Sequence, residues 1–212
     1  MTNHIDLGTV LRQTLAANLY SNLVTRSTGA AVRTQIELLM QSSDRALTVI
    51  DFSHVSMIDF SCADEVIAKL LMRAVGGRDE EADITADTTA DIKADVKADV
   101  KADVKADRHR KAYFVFRGMT EDHWDAIEAV LERHGLALVV ERESGMELVG
   151  VVEDREQRAF QAVKRRGRAE SWELAGDLGE PEPAVRHALD RMWHRRLIMR
   201  SGDCYMPVGE VA

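Results

Sequence analysis

The sequence predicts an α/β fold, a sheet with helices packed against it, followed by a small C-terminal α+β unit. Two observations lead there. Apolar, β-branched runs of strand length alternate with segments whose apolar residues recur at helical spacing. Near Glu153 the composition shifts, and three short helices and a hairpin follow. With 212 residues, 45% hydrophobic and 30% charged, the chain can bury one ordinary core and a small second one.

Taken in order, Leu7, Val10, Leu11 and Leu15 mark a short N-terminal helix, and residues 32–40 a longer one feeding a strand at 47–52. That strand is an apolar, β-branched run with Asp51 near its end, so it reads as an interior strand rather than a half-exposed one. The period then changes. Ala63, Val66, Ile67, Leu70, Leu71 and Ala74 repeat at i, i+3, i+4 and i+7, the pattern of a helix with one buried face. Ser61 is the expected N-cap of that helix; Asp64 would reach back to the cap, and Glu65 adds a second carboxylate at the positive end of the helix dipole.

Residues 79–108 interrupt this pattern with Ala-Asp-x-x repeated seven times, ten acidic residues against five basic ones, which accounts for −5 of the net charge of −8. As a helix the repeat would set Asp on Asp or Lys on Lys at i, i+4; as a strand it would be far too long, with a mostly alanine apolar face. Disorder is the expectation for this insert, taken as about 77–110. Residues 112–116 resume as a strand. Thr120 caps a helix to His134 carrying Trp124, Ile127, Val130 and Leu131 inward, Gly135 ends it, and strands follow at 136–140 and 146–152.

The string Met57-Ile58-Asp59-Phe60-Ser61-Cys62 resembles the STAS superfamily, whose anti-anti-sigma members carry a strand, then hydrophobic-Asp-Ser/Thr-Ser-Gly, then a helix. Phe60 stands in place of the first hydroxyl residue and Cys62 in place of the glycine. The run Ser61 to Glu65 also resembles the Ser-Phe-x-Asp-Glu signature of a related STAS-like family, as do Val24-Thr25-Arg26, Gly29 and Arg33. The resemblance covers roughly residues 20–150 and implies a STAS-like sheet in domain 1–152. It also implies Ser61 as phosphoacceptor and docking of a protein partner on Asp59, Ser61, Asp64 and Glu65. The implied partner is an anti-sigma factor or a serine kinase of the histidine-kinase-like ATPase fold, and a homodimer is among the assemblies it allows. A phosphate on Ser61 would lie beside Asp59, Asp64 and Glu65 and repel.

Beyond residue 152, helices are expected at Asp154–Arg166 (Ala159, Phe160, Val163), Ser171–Leu178 (Trp172, Leu174, Ala175) and from Pro183 to about Arg196 (Val185, Leu189, Met192, Trp193). A β-hairpin at 198–206 turns on Ser201-Gly202-Asp203. Domain 153–212 resembles a winged helix-turn-helix by this pattern. Its third helix offers Arg186, His187, Arg191, His194 and Arg195 for DNA, with Arg196 and Arg200 toward the wing and Lys164, Arg165, Arg166 and Arg168 upstream. Acidic residues keep the domain near neutral, so docking on protein or packing on the sheet is the competing expectation.

Other chemistry is sparse. No cofactor or metal is expected: His187 and His194 are seven apart with no third ligand at metal spacing. His54 and Asp59 near Ser61 lack an oxyanion segment and a pocket, so no catalytic residue is assigned and an enzyme is not expected. Cys62 and Cys204 form no disulfide framework, and neither a membrane-length apolar run nor a signal peptide is evident, which points to a cytoplasmic protein; that it is a regulatory one is what the STAS resemblance implies.

Overall fold

The computed structural model describes residues 2–14, 22–43, 45–76 and 112–209; Leu15 and the Ala-Asp insert lie outside them. The chain is α/β. Four strands run parallel in one sheet: β1 (Asn3–Asp6), β3 (Leu47–Asp51), β5 (Tyr113–Arg117) and β6 (Ala137–Arg142). A fifth, β7 (Gly145–Gly150), returns antiparallel beside β6, so the order is β1-β3-β5-β6-β7. A separate parallel ribbon joins β2 (Asn22–Leu23) to β4 (Met57–Ile58).

Strand side chains alternate between faces, and here both faces are apolar. Ile50, Phe114, Phe116, Leu138 and Val140 pack with the helices of one layer. These are α1 (Leu7–Thr14), α2 (Arg26–Gln41) and α5 (Glu121–His134), together with a composite helix. The composite starts as α3 (Phe60–Ala63), passes through a π segment (Asp64–Ala68) and ends as α4 (Lys69–Val75). Helix α5 keeps its expected bounds, with Thr120 and His123 in a reciprocal capping box and Gly135 left-handed at φ 63°. Helix α2 begins six residues before the expected start. Thr25 caps it through its side chain, and the weakly apolar first turns, with Gly29 and two alanines, hid the beginning from an apolar-period reading.

The odd-numbered set Leu47, Val49, Tyr113, Val115, Ala137 and Val139, with Leu148 of β7, faces the other way. It forms one apolar cluster with Ala159, Phe160, Ala162 and Val163 of α6 (Asp154–Arg166) and with the rest of the C-terminal part. That part runs α6, β8 (Ala169–Glu170), α7 (Ser171–Leu178), α8 (Glu182–His194), β9 (Ile198–Ser201) and β10 (Cys204–Pro207), with its small sheet ordered β8-β10-β9. Polar ties cross the same seam. Lys164 Nζ donates to Met146 O at 2.9 Å, Arg196 Nε to Ala74 O at 3.3 Å, and the Arg196 guanidinium lies over the Tyr113 ring. The chain on either side of residue 152 thus meets in one shared apolar layer. No helix among the described residues is long and apolar enough to cross a membrane.

Candidate functional site

The polar elbow between β4 and α3 is positioned by hydrogen bonds on both sides. Asp59 N–H donates to Leu23 O at 2.8 Å, which pins the elbow to the β2–β4 ribbon. The N-cap of α3 is Asp59, two residues before the expected Ser61. Its Oδ1 accepts from Cys62 N–H at 2.8 Å and from Ser61 Oγ–H at 2.9 Å. A carboxylate caps as well as a hydroxyl does, and the extended φ of −90° with ψ 167° falls at Asp59. Ser61 is therefore inside the first turn, half-buried, with its hydroxyl held by the cap instead of serving as one.

Asp64 and Glu65 follow one turn later and are buried, so the capping-box role expected of Asp64 is not what the structure has. Glu65 takes Lys69 Nζ at 2.6 Å, Arg26 Nη1 at 2.8 Å and Arg33 Nη2 at 3.6 Å. Asp64 takes His134 Nε2 at 2.7 Å and Arg26 Nη1 at 3.3 Å. Glu37 of α2 pairs with Arg33 and with Arg73, tying α2 to α4. The Lys69 hydrogen bond, helped by the charges of Lys69, Arg26 and Arg33 against the cost of burial, holds the Glu65 carboxyl below the usual range. For Asp64, burial pushes upward, but the hydrogen bonds and charges of His134 and Arg26 outweigh it, and the net direction is down. Both carboxylates are anions at neutral pH.

The two separated strings that carried the family resemblance therefore meet in space. Gly29 packs its bare Cα against the composite helix: a Cβ there would sit 3.0 Å from Cys62 Cα and from Glu65 Cβ. The Cys62 thiol donates to Thr25 O at 2.8 Å; burial, and then the Asp59 charge, push it up to about 11, so it is a packed thiol rather than a nucleophile. Sequence reasoning missed the partners Arg26, Lys69, Glu37, Arg73 and His134. Two signals were available: Arg26 and Arg33 are seven apart on one helix face, and Glu65 and Lys69 are four apart.

The elbow's outer surface is apolar. Val24, Met57 and Phe60 are 44%, 47% and 36% exposed, three of the seven large hydrophobics so exposed among the described residues, and Arg133 lies over the Phe60 ring. No hydrolytic triad assembles there. His54 Nδ1 lies 3.3 Å from Asp6 Oδ1, at the far end of β1. Among the described residues no group of three His, Cys, Asp or Glu side chains could hold a metal. A cleft of about 640 Å³ beside Gly118, Trp124 and Ser144 contains none of the predicted site residues, and Arg142 already stacks on the Trp124 ring.

The cations expected to face DNA are largely engaged within the chain. Arg191 pairs with Glu153 and with Glu156, and Arg195 Nη1 reaches Glu156 at 3.2 Å. Glu156 is fully buried and completes the capping box of α6 by accepting from Glu153 N–H. Arg186 pairs with Glu182. Arg200 pairs with Asp190, donates to Gly202 O and lies beside the Trp193 and Tyr205 rings. Arg196 is buried at the seam, and Arg166 is held by Asp177 and Glu173. His187 is exposed on α8. Comparison of the chain with protein-family models, with curated proteins and with solved structures returns no match.

Proposed function

We propose that this chain is a cytoplasmic, non-enzymatic regulatory protein of STAS-like type, in which the β4–α3 elbow docks a protein partner and phosphorylation of Ser61 controls the docking. The observation that carries this reading is the elbow's composition: a half-buried serine hydroxyl set on Asp59, with the exposed apolar side chains of Val24, Met57 and Phe60 on the β2–β4 ribbon and helix turn that lead into it. Exposed apolar residues gathered around a polar switch are what a reversible protein interface needs. The parallel sheet, and the meeting of the Thr25-Arg26, Gly29 and Arg33 string with Ser61–Glu65, support the STAS-like assignment. The partner class is an anti-sigma factor or a serine kinase of the histidine-kinase-like ATPase fold. Asp59, Ser61 and the apolar rim make the contact, while buried Asp64 and Glu65 hold the surface in shape.

The α6-β8-α7-α8-β9-β10 order and the β8-β10-β9 sheet support a winged-helix reading of residues 153–212. The pairing of Arg186, Arg191, Arg195 and Arg200 favours a layer that covers the sheet over a DNA reader, because breaking those pairs to reach phosphates would leave carboxylates such as Glu156 buried and unpaired. The test uses the full chain as bait. The captured protein is identified, purified and titrated calorimetrically against wild type, Ser61→Ala and Ser61→Asp. The expected result is a partner of the named class, equal affinity for wild type and Ser61→Ala, and at least tenfold weaker binding for Ser61→Asp. Equal affinity for all three, or salt-dependent DNA binding by the full chain that none of the elbow changes affects, contradicts it.

A further inference from the structure

We propose that Arg26 is the residue that receives a phosphoryl group on Ser61, exchanging Asp64 and Glu65 for it; the inference rests on the reading of Ser61 as phosphoacceptor. Arg26 is the most exposed member of the network, ahead of Arg73 at 52% and Lys69 at 36%. Its side chain is 56% exposed, whereas those of Asp64 and Glu65 are 12% and 5%. Its contacts to the described residues are all made by Nη1, so one guanidinium nitrogen serves both carboxylates. Neither carboxylate depends on it. Glu65 keeps Lys69 at 2.6 Å and Arg33 at 3.6 Å, and Asp64 keeps His134 at 2.7 Å. Arg26 can swing away without orphaning a buried charge.

Ser61 and Glu65 are four apart on one continuous helix and share a face. The first turn of α2, from which Arg26 projects, packs on the same helix at Glu65 and at Cys62, the residue next to Ser61, as the Gly29 contacts and the Cys62 to Thr25 bond require. In the phosphorylation step Ser61 Oγ bonds to the γ-phosphorus of ATP held by a kinase, the bond to ADP breaks, and the hydroxyl proton passes to a base on the kinase. The bond that Ser61 donates to Asp59 Oδ1 is thereby lost. The new group carries about −1.5 to −2 charges and is repelled by Asp59. On the α2 side it meets a different field. Four cations, Arg26, Arg33, Lys69 and Arg73, face the three carboxylates Asp64, Glu65 and Glu37. The repulsion from Asp64 and Glu65 expected from sequence is therefore cancelled, and a planar guanidinium is the donor best suited to bind two phosphate oxygens at once.

The test is a phosphorus NMR titration of the full chain carrying phosphoserine at position 61, introduced during translation, in wild-type, Arg26→Lys, Arg26→Gln and Arg26→Ala backgrounds. Thermal melts establish that each is folded, and Arg26→Gln keeps the side-chain bulk should Arg26→Ala fail. The second phosphate pKa is expected below its ordinary value of about 6 in wild type. It should rise by roughly one unit in Arg26→Gln and Arg26→Ala, with Arg26→Lys between. The same titration curve in wild type and Arg26→Gln overturns the proposal. No kinase or partner is present, so that outcome leaves the docking surface untouched, and a failure of partner binding leaves the titration result standing.

Discussion

Glu65 holds the elbow in shape because three cations converge on a carboxylate that is only 5% exposed. Glu65→Gln keeps the volume and removes the charge, leaving the part-buried Arg33 beside a weaker partner. The expected cost is about 3 kcal/mol, measured by urea unfolding at pH 7. Its pH dependence has a definite sign. The folded-state pKa of Glu65 is lowered, so the stabilisation is present above the ordinary glutamate value and is lost as pH falls through the folded value. The gap between wild type and Glu65→Gln should therefore narrow on acidification, and a gap that widens would contradict the assignment. At the cap the larger effect moves to Asp59. Asp59→Ala removes the acceptor of Cys62 N–H and of Ser61 Oγ–H and should cost about 1 kcal/mol, more than Ser61→Ala, in thermal melts. The elbow was legible in the sequence as a strand-to-helix junction. Which of two polar residues capped it was not, because Asp and Ser cap equally well and only the backbone angle decides.

At the scale of elements, Gly29 makes the sharpest test. On helix propensity alone, Gly29→Ala in α2 would stabilise by about 1 kcal/mol. The added Cβ would, however, meet Cys62 Cα and Glu65 Cβ at 3.0 Å, one of them backbone, so the helices must separate. The expected outcome is a destabilisation of roughly 1 to 3 kcal/mol in urea unfolding; a more stable variant would show that the α2 contact is slack. Element boundaries were legible wherever a cap and an apolar stripe coincided, as in α5, α6 and α7. Strand β1 escaped because its four residues show only Ile5 as a buried apolar position. The π segment escaped because its apolar spacing is that of an α-helix, and what distinguishes it is the pair of buried carboxylates held from neighbouring helices.

At the scale of the molecule, the apolar, β-branched run that opens Leu47–Asp51 foretold an interior strand, but did not decide what its second cover was. The cover is the C-terminal part, for which packing on the sheet was one of the competing expectations, because its own helices are amphipathic enough to read as an independent unit. Seven sheet residues, among them Tyr113, Val115 and Val139, face it, and their exposure would forfeit on the order of 10 kcal/mol, as much as a domain's whole stability. Truncation after Val152 should therefore abolish cooperative unfolding and expose dye-binding apolar surface. A truncated chain that melts like the full one would mean the layers are separable. Deleting residues 79–108, by contrast, should shift stability by about 1 kcal/mol or less. The residues flanking that insert are held at one point, where Arg196 reaches both Ala74 O and the Tyr113 ring.

On the proposed function, the β4–α3 elbow, and not the cationic face of α8, meets the partner. Hydrogen exchange of the full chain, free and saturated with the captured partner, reads both surfaces in one experiment. The expected result is slowed exchange confined to residues 22–26 and 57–65, with α8 and the β9–β10 hairpin unchanged. Protection over α8 and that hairpin, with the elbow exchanging as in the free chain, would contradict it.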